Sequence, residues 1–302
     1  MKSYDITLLT ESRYVSPANP NQYVRNLLKE DRLVKEALEA KGLKVCRKDW
    51  ADEEFDWSKT RNILFRTNWD YFDRYEEFTE WLQSVSLKTN FINSIELVSW
   101  NSDKHYLADL SKKGIRIIST RYLPLNSHLD IEELKNLTGW ENMVIKPTVG
   151  GAGRHTYKIT PKNIGEMSMK LAPLMKREDF MIQPFQYSVA EVGEVSMMIF
   201  GNEFSHAVLK KAKPGDFRVQ DDHGGTVHHY EPTQEEIEFA LSAVEACPSL
   251  PAYARVDIIR DNDGVLAVSE LEIIEPELWF RFKPEAAPLL ADQVLKSINN
   301  NS

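Results

Sequence analysis

The sequence predicts an α/β protein with α+β character in its second half, a parallel sheet coming first and antiparallel sheets after it. Two observations carry this. In the first third of the chain, short apolar runs alternate with stretches of helical periodicity, the pattern of parallel strands joined by helical crossovers. From Val144 onward, apolar runs are instead joined by tight turns such as Gly201-Asn202, which suits a two-residue hairpin.

The elements follow in order. "YDITLL", from Tyr4, reads as a buried strand, and the helix after it, Gln22 to Lys41, carries Val24, Leu27, Leu28, Val34 and Leu38 on one side before stopping at Gly42. "LKVC" (Leu43 to Cys46) and "NILFR" (Asn62 to Arg66) are further short strands. "DRYEEFTEWLQSV" is an amphipathic helix with Phe78, Trp81, Leu82 and Val85 as its apolar stripe, and the aromatic residues around it read as core. A second section opens near "WNSDKHYLADLSKKG", where Ser102 or Asn101 is placed to cap a helix that Gly114 ends. Thr233 and Glu236 hold the capping-box spacing at the start of "TQEEIEFALSAVEA". "YARVDIIRDNDGVLAVSELEII" reads as two strands with "DNDG" as their turn. No internal repeat is present.

Bulk properties narrow the function. Lys and Arg number 37 against 46 Asp and Glu, and the net charge of -9 argues against a general nucleic-acid surface while leaving room for a local basic pocket. Cys46 and Cys247 form neither a disulfide framework nor a metal spacing, so they read as reduced thiols of a cytoplasmic protein. The N-terminus lacks the pattern of a signal peptide, and no run reaches the length of a membrane span.

Chemistry concentrates in a few segments. "VIKPTVGGAG" places Lys146 at a strand end ahead of Gly150, Gly151 and Gly153. A Walker A loop puts its lysine after the glycines, so this is a different phosphate cradle, or else an ordinary flexible hairpin. In the last hairpin, alternation puts Glu270 and Glu272 on one face and brings Asp257 back across from them. Like charges about 4 Å apart repel by roughly 1 to 4 kcal/mol, so three converging acids call for a cation, and oxygen ligands favour Mg²⁺; a solvated strand face is the plainer alternative. Lys210 closes a strand, and Arg218 sits on a loop returning to Gly224 and Gly225. That loop is placed to bring positive charge to a phosphoryl group and a carboxylate. Arg66 ends a parallel strand, the edge where open α/β sheets bind ligands, and is a candidate anchor for a substrate carboxylate. "IIEPELWFRFKPEAA" adds Glu275 and Arg281 as candidates for a substrate pocket. "HGGTVHHY" invites a zinc reading through His223, His228 and His229, but adjacent histidines on a strand point to opposite faces.

Together "NSDKHYLADL", "VIKPTVGGAGRHTY", "MIQPFQYSVAEVGEVSMMIF", "HAVLKKAKPGDFRVQDDHGG" and "YARVDIIRDNDGVLAVSELEIIEP" resemble the ATP-grasp superfamily, in its glutathione-synthetase-like and D-cycloserine-synthetase-type branches. The resemblance covers the chain from Trp100 onward. It implies a preATP-grasp α/β domain over 1–99, a central lid subdomain over 100–187 and a C-terminal catalytic subdomain over 188–302, with antiparallel sheets clasping the nucleotide. Lys104 and Lys146 would contact ATP above Gly150, Gly151 and Gly153. Gln183, Pro184 and Phe185 would form the hinge at adenine, Gln183 and Phe185 presenting backbone groups, and Glu194 would hold the ribose. Asp257, Glu270 and Glu272 would carry Mg²⁺, as one ion or two, with Mn²⁺ as a substitute; many relatives have Asn where this chain has Glu272. Lys210 and Arg218 would act on the transferring group, and Arg66, Gly224, Gly225 and Glu275 on the substrate. The implied reaction joins a carboxylate to an amine of a small amino-acid-like substrate through an acyl phosphate, between molecules or within one, without nucleic-acid or membrane partners. A homodimer is the simplest assembly. A non-catalytic nucleotide-binding module and a phosphotransferase are the alternatives.

Overall fold

Three hydrogen-bonded sheets follow one another along the chain, in a computed structural model that describes residues 2–127, 130–213, 215–219 and 224–300. The first sheet holds β1 (Tyr4–Thr10), β2 (Val45–Asp49), β3 (Thr60–Thr67) and β4 (Asn90–Phe91), all parallel, in the order β2-β1-β3-β4. A single turn, α1 (Ser12–Val15), and the long α2 (Gln22–Ala40) form the first crossover. The ladder carries β2 through Arg47, Lys48 and Asp49, beyond the apolar run, because pairing with Leu8, Leu9 and Thr10 extends the backbone without any hydrophobic signal. Asn21 caps α2 by accepting from the Val24 amide, and Gly42, at φ 83°, follows its end. Leu27, Val34 and Leu38 are buried as the periodicity predicts, but so are Glu30 and Asp31. Next, α3 (Tyr75–Ser86) packs Phe78, Leu82 and Val85 into an aromatic cluster with Trp50, Trp57, Phe65 and Phe72.

Two short helices, α4 (Ile95–Asn101) and α5 (Tyr106–Lys112), lead onward. The expected cap at Asn101 or Ser102 is corrected here: Asn101 ends α4, Ser102 is its C-cap, and Asp103 accepts from the His105 amide at 2.9 Å. The Asn101 carboxamide instead donates to Leu271 O (2.8 Å) and accepts from the Ile273 amide (3.0 Å). Asn93 works alike, donating to Tyr253 O at 3.0 Å and accepting from the Ala252 amide at 2.8 Å. These two side chains fasten the first sheet to the last, because buried backbone groups at a junction need partners.

The second sheet, antiparallel, combines β5 (Arg121–Leu123), β6 (Met143–Pro147), β7 (Tyr157–Ile159) and β8 (Phe180–Pro184) in the order β5-β8-β6-β7. With α6 (Ile131–Thr138) and α7 (Ile164–Leu171) it encloses a separate core that includes Met143, Ile145, Ile159, Leu171 and Phe180. After the one-turn α8 (Tyr187–Glu191) comes the third sheet. It contains β9 (Glu194–Phe200), β10 (Glu203–Lys211), β11 (Thr226–Tyr230), β12 (Ala254–Arg260) and β13 (Leu266–Glu272), antiparallel in the order β11-β10-β9-β12-β13. Gly201 turns the β9–β10 hairpin at φ 61°, and Asp261 organises the "DNDG" turn by accepting from the Asp263 and Val265 amides. The Thr233–Glu236 capping box is formed at the start of α9 (Gln234–Glu245), which lays Ala240, Ala243 and Val244 on this sheet. The last helix, α10 (Ala286–Asn300), returns to α2, where Leu290, Ala291 and Val294 share a core with Val34 and Leu38. Among the described residues no helix is long and apolar enough to cross a membrane, and both cysteines are free thiols.

His206 on β10 joins this frame to the segment after β13. Its Nε2 donates to Leu278 O at 2.8 Å, leaving Nδ1 to accept from the Ser205 hydroxyl at 3.0 Å. Burial, against the pull of the Leu278 bond, lowers its pKa from 6.5 to about 4. The folded state therefore favours neutral imidazole, so this contribution is complete above pH 6.5 and is lost as pH falls through 4, amounting to about 3 kcal/mol. Urea midpoints at pH 7 and pH 4.5 should show the loss, and His206→Gln should make the two midpoints differ less.

Candidate nucleotide and metal site

The three sheets meet at a cleft of about 240 Å³. The first contributes Trp69 and Phe72 from the loop after β3. The second contributes Lys146, the glycine loop and the hinge, and the third contributes the facing ends of β9, β10, β12 and β13.

Register brings the acids together. Asp257 pairs with Glu270 and Arg255 with Glu272 across β12 and β13, so alternation puts all four side chains on one face. One oxygen each of Asp257, Glu270 and Glu272 lies within 4.8 Å of the others, the one such group among the described residues. Three hard oxygen donors suit Mg²⁺. Asp257 is 1% exposed and accepts from Ser196 Oγ (2.6 Å), Lys210 Nζ (2.8 Å), Arg255 Nε (2.9 Å) and Arg255 Nη2 (2.8 Å). The same Nη2 also donates to Glu272. Burial works against ionised Asp257, but the Arg255 and Lys210 charges outweigh it and hold the carboxyl below the usual aspartate range. Burial likewise opposes Glu270, which Lys104 and Lys146 hold down. Burial, opposed by Arg255 and reinforced by Glu270 and Asp257, pushes Glu272 up to about 7.

Cations face these acids. Lys104 Nζ lies 3.1 Å from Glu270 and donates to the Gly150 carbonyl. Lys210 Nζ spans Glu194, at 2.5 Å, and Asp257, while the second Glu194 oxygen accepts from Ser269 Oγ at 2.8 Å. Lys146 lines the cleft without an ion pair to any described residue, and burial, with Lys104 beside it, lowers its pKa. The glycine loop lines the same cleft. A Cβ at Gly151 would sit 2.8 Å from the Phe72 ring, and Gly153 takes φ 68°. Arg154 pins the loop through Asp73 (2.9 Å) and Glu178 (2.6 Å).

Other expected residues are placed differently. Gln183, Pro184 and Phe185 line the cleft, but the Phe185 amide donates to Asn142 O at 2.8 Å and its carbonyl accepts from Asn262 at 2.9 Å. The amide is thus engaged within the protein, which corrects the expectation for that group, while the carbonyl keeps a second lone pair. Arg218 lines the cleft with its guanidinium on Asp216, at 2.9 Å. Gly224 and Gly225 do not line it; they lead into β11, and this too is a correction. Arg66 is the largest correction. It is 1% exposed and turned beneath the sheet toward Glu30 (3.5 Å) and Asp31 (3.4 Å), so it cannot reach a ligand in the cleft. Glu275 does line the cleft, and burial, reinforced by Glu272, pushes it up to about 8. Arg281 is not a lining residue itself; it pairs with buried Glu30 and with Glu277, which does line the cleft. His228 meets Thr226 and His229 meets Phe282, whereas His223 lies outside the described residues.

Among the cleft residues that went unpredicted are Arg255, Trp69, Phe72 and Trp279. Arg255 was legible, since it stands two residues before Asp257 on the same face. Trp69 and Phe72 follow the carboxyl end of β3, where the sheet-edge rule points to the loop rather than to the strand's last arginine. Trp279, at φ 46°, occupies a backbone region that bulky residues rarely adopt and that no periodicity reveals.

Comparison with known proteins agrees with this fold. Residues 6–93 match the D-cycloserine synthetase DcsG N-terminal domain, and residues 130–274 match the RimK-like ATP-grasp domain. The chain is 30% identical to the cycloserine biosynthesis protein DcsG of Streptomyces lavendulae, over 80% of this chain and 84% of that protein. A probable alpha-L-glutamate ligase of Coxiella burnetii is 29% identical over 62% of this chain and 60% of its own length. The crystal structure of D-cycloserine synthetase DcsG matches with a TM-score of 0.84 at 26% identity, covering 97% of this chain and 99% of that one. The D-alanine–D-alanine ligase of Bacillus anthracis complexed with ATP shares the fold, with a TM-score of 0.67 at 15% identity over 99% of this chain and 98% of that one. Ligases of this fold use ATP and Mg²⁺. With two domain matches in sequence and the same architecture over nearly its whole length, the chain belongs to the ATP-grasp ligases of the D-cycloserine synthetase type, which use ATP to join a carboxylate to an amine.

Proposed function

We propose that this ligase forms its C–N bond on a small amino-acid-like substrate by way of an acyl phosphate, either between two molecules or within one. The observation that carries the reading is that Glu270 and Glu272, grouped with the buried Asp257, share one cleft with Lys104, Lys146 and Lys210. On this reading residues 1–99 form the N-terminal domain, 100–187 the lid subdomain and 188–302 the catalytic subdomain. Lys104 and Lys146, with the amides of the glycine loop, grip the phosphates, while Glu194 meets the ribose and the Gln183–Phe185 strand end borders adenine. A substrate carboxylate oxygen attacks the γ-phosphorus, the bond to the β-phosphate oxygen breaks, and ADP leaves. The amine then attacks the acyl carbon and inorganic phosphate departs. Phosphoryl transfer asks the protein for alignment and charge rather than covalent work. Arg218 and Lys210 supply positive charge to the transferring group, and Glu275 faces the substrate. Asp257, Glu270 and Glu272 would hold Mg²⁺, as one ion or two, or Mn²⁺ in its place. The ion would supply neutralisation of phosphate charge.

The test is release of ADP and phosphate with ATP, Mg²⁺ and a panel of amino acids and dipeptides. Phosphate release that requires an amine is expected; a phosphorylated product formed regardless of amine would establish a phosphotransferase instead. A product lighter than the substrate by one water marks cyclisation. Because Lys146 has no ion-pair partner among the described residues, Lys146→Ala should weaken ATP binding about 10- to 100-fold, the range of a lost charged contact. Unchanged affinity by calorimetry would remove Lys146 from the phosphate cradle.

A further inference from the structure

We infer that Arg255 holds the metal's place in the nucleotide-free site, so that the ion enters only together with the nucleotide. This rests on the metal assignment proposed above and adds a positioning residue to it. An ionised carboxylate offers about four lone-pair sites. On Asp257 four donors take them: Ser196 and Arg255 Nε on Oδ1, Lys210 and Arg255 Nη2 on Oδ2. A divalent ion must displace one of these donors to reach Asp257.

Arg255 is the donor whose departure serves the ion best. Its Nη2 bridges Asp257 and Glu272, two of the three acids, so one movement opens both. Lys210 is also anchored on Glu194, and Ser196 carries no charge. The remaining acid, Glu270, is matched by Lys104 at 3.1 Å. Counting Glu194, four carboxylates stand beside four cations, Lys104, Lys146, Lys210 and Arg255. An added divalent ion would meet a guanidinium a few ångströms away with no surplus negative charge to hold it. A polyphosphate changes the balance. It brings several negative charges, occupies Lys104 and Lys146, and gives the guanidinium another partner. Arg255 also has a surface along which to swing, since its guanidinium carbon lies 5.1 Å from the centre of the Trp279 ring, a cation–π distance.

Mn²⁺ titration followed by electron paramagnetic resonance tests this without relying on turnover. Wild-type protein is expected to bind Mn²⁺ weakly alone and at least tenfold more tightly with ADP. Arg255→Met is expected to bind Mn²⁺ alone at least tenfold more tightly than wild type, and Arg255→Lys, which keeps the charge, to stay near wild type. Equal Mn²⁺ affinity of wild type and Arg255→Met without nucleotide would overturn the inference. Should the methionine variant not fold, wild type decides by itself: tight Mn²⁺ binding without ADP overturns the inference while leaving the metal assignment standing. Failure of wild type to bind Mn²⁺ even with ADP overturns both.

Discussion

With Glu270 replaced by glutamine, ADP release should fall by about two to three orders of magnitude, the scale set by removing one preorganised electrostatic group, while the thermal midpoint stays near that of the parent. Glutamine keeps the shape and an acceptor oxygen but not the charge. Glu270 is 25% exposed on its side chain, and its ion-pair partner Lys104 keeps the Gly150 carbonyl, so the fold loses little. Asp257→Asn is a poorer experiment. It would leave Lys210 and Arg255 buried with less opposing charge, and lost stability would blur lost chemistry. Coupled ADP assays together with circular-dichroism melts decide the matter, and near-normal turnover of Glu270→Gln would remove this residue from the metal set.

Arg66→Met is the substitution expected to cost most in stability, about 3 to 5 kcal/mol, or roughly 10 °C in thermal midpoint. Its guanidinium lies between Glu30 and Asp31 and donates to Pro276 O at 3.4 Å. Without it, Asp31 keeps Arg47 at 2.7 Å, but among the described residues Glu30 keeps only Arg281, at 3.6 Å, as a cation. Burial, reinforced by Glu277 and opposed by Arg66, already pushes Glu30 up to about 8 from 4.5. An acid raised on folding stabilises most below its unfolded pKa and loses that contribution as pH rises through the folded value. The variant should therefore be weakest near pH 8 and partly recovered near pH 5.5, and Glu30→Gln in the same chain should restore part of the loss. A melt unchanged from wild type, combined with impaired substrate binding, would return Arg66 to the ligand-anchoring role that its position in the sequence suggests.

That contrast shows where sequence reasoning reaches and where it stops. Alternation and turn chemistry are local, so the parallel opening, the Thr233–Glu236 box and the convergence of three acids on one hairpin could be read directly. Direction across the fold is not local. Asn101 has the composition of a cap, yet its partners Leu271 and Ile273 lie some 170 residues away. Arg66 stands at a strand end like a ligand-binding residue, but the acids that claim it are on α2, where helical periodicity gave no reason to expect buried charge. The Phe185 amide is claimed by the Asn142 carbonyl, which nothing near it in sequence announces.

The contact of Gly151 with Phe72 carries a mechanical consequence. That ring is both a member of the N-terminal aromatic packing and the surface against which the glycine loop rests, so the loop's position is set by a core that must stay dense to remain folded. Variation among the packed aromatics behind Phe72 will thus be transmitted to the mouth of the active site as a change in clearance, although none of those side chains need touch the nucleotide.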